Sequence, residues 1–290
     1  WGPLDARLDL LEEHGVSVLL TLPPNPPGWA AGDVRNERSC VFRNGEDFRN
    51  YVIALLRRYS GRLDKIQFGN EWQTRFWYAG TAGQYVYFNN ILYEAVKAHS
   101  PDTEVVIGGF SIGALRGLAA LEGRLDYVYD NRGRKESGTA FERRLVSEQA
   151  ETLQSRVKHV IANAKFDVLD LHLYDDVENW PIYVKMAREM MPGKPIIVSE
   201  FGGTGFAGRE DPDMYMAARL ERYVTTLEEL GIEEACFFKL LVRPGNPTVS
   251  SLTRLIDENL NPTPAYNIFR ALSRAGASSA GDRGSLEPDH

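Results

Sequence analysis

A chain of 290 residues is long enough for one large barrel or two average domains, and with 33 Lys and Arg against 40 Asp and Glu it carries a formal charge of −7. That balance, with only short arginine clusters such as "DNRGRKE" at 130–136, argues against nucleic acid as a partner. No apolar run approaches the ~20 residues that cross a bilayer, so no membrane contact is expected, and no signal peptide is read at the start.

In chain order, Leu4, Leu8 and Leu11 mark a helix closed by Gly15, followed by the strand "VSVLLTL" at 16–22. A helix with Phe48, Tyr51, Val52, Leu55, Leu56 and Tyr59 on one face ends before Gly61, and the next strand reaches Glu71. Thr81 and Gln84 form a capping box that opens a third helix, with Phe88, Ile91, Leu92, Ala95 and Val96 along one face. The strand "TEVVIGGFS" follows. Residues 112–140 carry glycines and charges that read as a long polar loop or mobile lid, ahead of a helix running to about Ala164.

Three further units complete the pattern: "FDVLDLHLY" with a helix from Trp180 to Met191, "KPIIVSEFGG" with a helix capped by Asp211 and Pro212, and "EEACFFKLL" with a last helix after Pro264. Cys40 and Cys236 suggest neither a disulfide nor a zinc cluster, and Cys236 reads as a small hydrophobe inside its apolar strand. Residues 276–290 read as a disordered tail, leaving 1–275 as one domain.

Nearly continuous apolar strands, each followed by a helix, argue for a parallel sheet covered by helices. A doubly wound open sheet would carry a glycine-rich phosphate loop after its first strand, and "LPPNPPGWA" stands there instead. The expected fold is therefore a (β/α)8 TIM barrel. With six strands read, it lacks its first two, and the chain looks like the last three-quarters of such a barrel.

In a barrel of this kind functional residues sit at the C-terminal ends of strands. Glu71 in "KIQFGNEW" and Glu200 in "IIVSEFGG" both lie there, each after an apolar strand and before an aromatic. Either one alone could bridge to an arginine or cap a helix. Together they are a candidate acid/base pair.

"GNEW" after a fourth strand, "HLY" at the end of a sixth and "SEFG" at the end of a seventh resemble the clan of retaining glycoside hydrolases built on (β/α)8 barrels, which includes cellulase-like, xylosidase-like and iduronidase-like families. The resemblance covers roughly residues 16–241. It implies an oligosaccharide or glycoside substrate, no cofactor and no metal, with Glu71 as proton donor and Glu200 as nucleophile. Retention then requires the two carboxyls about 5 to 5.5 Å apart, one protonated and one ionised. By the same resemblance Asn70 meets the sugar 2-hydroxyl, Tyr174 hydrogen-bonds the nucleophile and His172 faces the cavity.

Each of these has a bland alternative: Asn70 turning a strand end, His172 satisfied by a carbonyl. Trp29, after the proline-rich loop, and Trp72 or Trp77, beside the donor, suit sugar-stacking platforms, although aromatics also simply cover cores. The clan's eighth strand usually ends in tryptophan, where this chain offers Phe238 and Lys239. Lys239 either pairs with an acid or, with Arg243, selects a sugar bearing a carboxylate. A metal-dependent hydrolase is a poor fit, since of five histidines only His172 lies on a strand. A non-catalytic sugar-binding barrel is the alternative.

Overall fold

A computed structural model describes residues 1–129, 135–174, 176–202, 212–241 and 254–281. These fall into two compact units, Trp1–Leu171 with Lys185–Ile197, and His172–Val184 with Val198–His290.

The first unit opens with α1 (Gly2–Glu13), of which only Leu8 is buried. Ion pairs hold its polar face to α2 (Gly45–Arg58): Arg58 to Asp5 at 2.6 Å, and Arg62, just past α2, to Asp9 at 2.7 Å. Asn44 caps α2 by accepting from the Asp47 amide, and α2 buries Phe48, Val52, Leu55 and Leu56. Tyr51 of the expected apolar face is exposed, with Trp1 stacked on it. The capping box of Thr81 and Gln84 is formed at the head of α3 (Ala82–His99).

Strands β1 (Leu19–Leu22), β4 (Lys65–Phe68) and β5 (Glu104–Ile107) pair in parallel, in that spatial order. Parallel bridges from Val106 to Val168 and from Phe110 to Leu171 continue this sheet to β8 (Leu169–Leu173). Leu19, Val106, Val168 and Ile197 pack together inside it. Phe42, Phe48, Phe68 and Phe88 form an aromatic cluster with centroids 4.7 to 6.1 Å apart.

Two hairpins interrupt the strand–helix alternation. β2 (Ala31–Arg35) and β3 (Cys40–Phe42) pair antiparallel after the proline-rich loop. Their turn is built by Asn36, whose side-chain oxygen accepts from the amides of Arg38 and Ser39. The second is β6 (Tyr127–Tyr129) with β7 (Lys135–Ser137).

The described part of the stretch at 112–140 is not a loop. Ser111 caps α4 (Ile112–Leu121), whose Ala114, Leu115, Leu118 and Ala119 are buried. α5 (Thr139–Leu145) and α6 (Glu148–Asn163) follow. An i, i+4 apolar stripe, Ala114 with Leu118 and Leu115 with Ala119, outweighs Gly113 and Gly117, and the loop expectation fails there. Residues 130–134 lie outside the described part.

In the second unit, β9 (Ile196–Phe201) pairs in parallel with β10 (Ala235–Phe237) through Val198–Ala235 and Phe201–Phe237. Trp180, at the head of α7 (Trp180–Met190), stacks on Tyr223 of α8 (Pro212–Glu229) with centroids 5.0 Å apart, and meets Phe201 edge-on. α9 (Pro264–Gly281) carries Phe269 against Phe237, and it continues past the point where the sequence places the tail. Cys236 is exposed rather than buried, as is its neighbour Ala235 in this short strand. Asp211 and Arg243 fall outside the described residues. Among those described, no helix is long and apolar enough to cross a membrane.

Candidate active site

Glu71 follows β4 by three residues, and the backbone is forced to turn sharply on the way. Gly69 has φ +72°, which costs glycine nothing, and Glu71 itself has φ +46°, a left-handed conformation that a side chain seldom adopts. The surroundings impose this. Tyr85 donates its hydroxyl to Phe68 O at 3.0 Å and accepts from the Gly108 amide at 3.0 Å. Burial pushes that phenol's pKa up, so it stays neutral and can serve both bonds. Gly108 is closely packed, since a Cβ there would lie 3.0 Å from Gly69 O and 3.1 Å from Phe68 O, so a side chain would push these carbonyls aside by a few tenths of an ångström.

Past Glu71 the chain is tied to the end of β5. Trp72 Nε1 donates to Gly108 O at 2.8 Å, and Gln73 donates to Gly109 O while accepting from the Ser111 amide. Trp72 is fully buried and stacks on Tyr85 at 5.0 Å, so it is a core residue and not a sugar platform. Its indole N–H needed a carbonyl in the interior, and Gly108 provides one. Asn70 and Glu71 are half-buried. Trp77 is half-buried beside Phe76, with the Arg38 guanidinium 5.3 Å from its ring. Trp29 is 66% exposed on a 3-10 turn (Gly28–Ala30), with its carbonyl held by Arg43.

In the second unit Glu200 sits near the end of β9 with its side chain 24% exposed. Tyr174 donates its hydroxyl to Glu200 Oε2 at 2.6 Å, a short bond of the kind a charged acceptor makes. His172 is fully buried, with Nδ1 3.5 Å from the same oxygen and Nε2 3.2 Å from Ser199 Oγ. A proton on Nδ1 would face the carboxylate and leave Nε2 to accept from the serine. Tyr174 is turned edge-on to Phe238, with ring centroids 6.1 Å apart. Lys239 is half-buried, its Nζ 5.1 Å from the centre of the Phe238 ring.

The sequence reading passed over Gln73, Tyr85, Arg156 and Ser199. Only Gln73 carried a signal, as an amide two residues past a strand-end acid.

No protein-family model and no curated protein matches this chain. Solved structures do match it, glycoside hydrolases among them. An exo-β-1,4-mannosidase from Opitutaceae bacterium strain TAV5 is 18% identical with a TM-score of 0.62, over 94% of this chain and 48% of that one. A family 39 glycoside hydrolase from the gut symbiont Bacteroides cellulosilyticus WH2 is 14% identical with a TM-score of 0.59, over 91% and 51%. A xylanase from Cellvibrio japonicus, in a thermostable mutant form, is 13% identical with a TM-score of 0.58, over 91% and 80%. At these identities the likeness is one of fold. The chain spans about half the length of the first two.

Proposed function

We propose that the chain carries the acid/base and nucleophile of a glycosidase that cleaves O-glycosidic bonds with retention, on strands that take the third to eighth places of a (β/α)8 barrel. Glu200 attacks the anomeric carbon to form a glycosyl-enzyme. Glu71 protonates the departing oxygen and then deprotonates the water that releases the sugar.

The observation that carries this reading is the 2.6 Å hydrogen bond from Tyr174 to Glu200. A donor on a carboxylate oxygen favours its charged form, which is what a nucleophile needs, and fixes the oxygen in place. The left-handed backbone of Glu71 supports its role, since strain of this sort gathers at working sites. The fold shared with the mannosidase and the xylanase supports a β-glycoside as substrate. Asn70 is assigned to the 2-hydroxyl and Trp29 to a sugar face.

Proton NMR of the first product from aryl β-glycosides of mannose, xylose and glucose tests the mechanism: the product should appear with the anomeric configuration of the substrate, and an inverted product overturns it. Sugar binding that is undiminished in Glu200→Gln, with no turnover by the wild type, would instead identify a binding barrel. For Lys239 the proposal is contact with a sugar carboxylate. Lys239→Met should then lose far more activity on an aryl glucuronide than on the glucoside, and proportional losses would dismiss it.

A further inference from the structure

Arg156 lies on α6, only 8% exposed, and its guanidinium serves a single loop. Nε donates to Trp72 O at 2.8 Å, Nη1 to Gly80 O at 2.9 Å and Nη2 to Tyr78 O at 3.3 Å. Among the described residues no carboxylate pairs with it, and the ionisable groups that bear on its charge are Tyr78, Tyr85 and Arg75. Its pKa is pushed down by burial, yet a guanidinium remains protonated.

A buried cation without a counter-ion is a costly way to fill space, and an apolar side chain of equal volume would do that better. What arginine adds is a rigid fork of donors. The loop from Trp72 to Gly80 is buried at both ends and lies in no strand ladder that would donate amides to its carbonyls, and Arg156 donates to three of them at once. From another side Ser39 Oγ accepts from the Ala79 amide at 2.8 Å. The Cα of Glu71 therefore stands between two fixed peptides. Before it, the Phe68 carbonyl is held by Tyr85 and the Gly69 amide by Leu22 O at 2.8 Å; after it, the Trp72 carbonyl is held by Arg156.

We infer that Arg156 is a positioning residue for proton transfer by Glu71, acting through the main chain of the loop from Trp72 to Gly80. This rests on the acid/base role proposed for Glu71. Its consequence is selective: loosening the loop should impair delivery of a proton to the leaving group and leave the attack by Glu200 largely intact.

The test compares kcat/KM of the whole chain, as wild type, Arg156→Met and Arg156→Lys, on phenyl and 2,4-dinitrophenyl β-glycosides of mannose, xylose and glucose. The ratio between the two leaving groups does not depend on how much of a preparation is folded. The expected result is a loss of about 10- to 100-fold on the phenyl glycoside, the scale of a misplaced catalytic group, with a much smaller loss on the dinitrophenyl one. Arg156→Lys, which keeps the cation and can reach one carbonyl, should recover part of it. Equal losses on both substrates, or failure of both variants to fold, overturn the inference and make Arg156 a requirement for folding alone. Glu71→Ala is assayed alongside. If it discriminates between leaving groups and the Arg156 variants do not, this inference alone falls; if Glu71→Ala does not discriminate, both readings fall.

Discussion

Tyr85 and Arg156 grip main-chain carbonyls on either side of Glu71, whereas Tyr174 and His172 reach the carboxylate oxygen of Glu200 itself. The two glutamates end comparable strands; around Glu71 the main chain on both sides is held, and on Glu200 donors reach the carboxylate. The roles proposed for the two residues fit this arrangement. A nucleophile works in one charge state and gains from a donor that favours it. An acid/base passes through both states in each turnover, so its place in space can be fixed but its protonation cannot.

The largest effects should separate the two directly. Glu200→Ala should abolish turnover of phenyl and dinitrophenyl glycosides alike, with losses on the order of 10⁵-fold or more. Glu71→Ala should lose about 10²- to 10⁴-fold on the phenyl substrate, spare the dinitrophenyl one and respond to added azide. The same rate loss and azide response in both variants would erase the distinction.

The backbone side of the comparison is tested through Trp72. Trp72→Ala removes a fully buried ring and its bond to Gly108, and should cost about 3–5 kcal/mol in chemical denaturation. Trp29→Ala, at an exposed site, should stay within about 0.5 kcal/mol and raise KM instead. On the carboxylate side, Tyr174→Phe deletes one donor to a charged oxygen without moving the strand. It should cost roughly 1.5–3 kcal/mol of transition-state stabilisation, read in kcat, with the melting temperature nearly unchanged.

The smallest effect lies away from both glutamates. The Arg58 guanidinium beside Asp5 holds that carboxyl down at about 2, well below the usual carboxylate range. A depressed folded-state pKa stabilises above the unfolded value, so docking of α1 should persist down to pH ~4 and weaken as pH falls toward 2. Amide exchange in α1 would follow this, and Asp5→Asn should remove the transition.

Much of this was open to reading from residues alone. Thr81 and Gln84 announced α3, because a capping box is a local interaction. The six parallel strands stood out as apolar runs, and their ends pointed to Glu71 and Glu200. The burial of Trp72 was not readable, since an aromatic beside a strand-end acid serves a core or a sugar equally well until Gly108 and Tyr85 are seen to enclose it. Helix α4 was hidden by averaging over 112–140, although Ser111 and the spacing of Ala114, Leu115 and Leu118 were present. The role of Arg156 was out of reach: a lone arginine on an amphipathic helix looks solvated, and its carbonyl partners lie some eighty residues earlier in the chain.

The left-handed backbone at Glu71 sets stability against use. Glycine at that position would relieve a conformational cost on the order of 1 kcal/mol, so Glu71→Gly should fold at least as firmly as the parent while lacking the carboxyl. Selection for robustness alone would discard this glutamate, and a library of variants sorted only by resistance to heat should become enriched in inactive chains altered here.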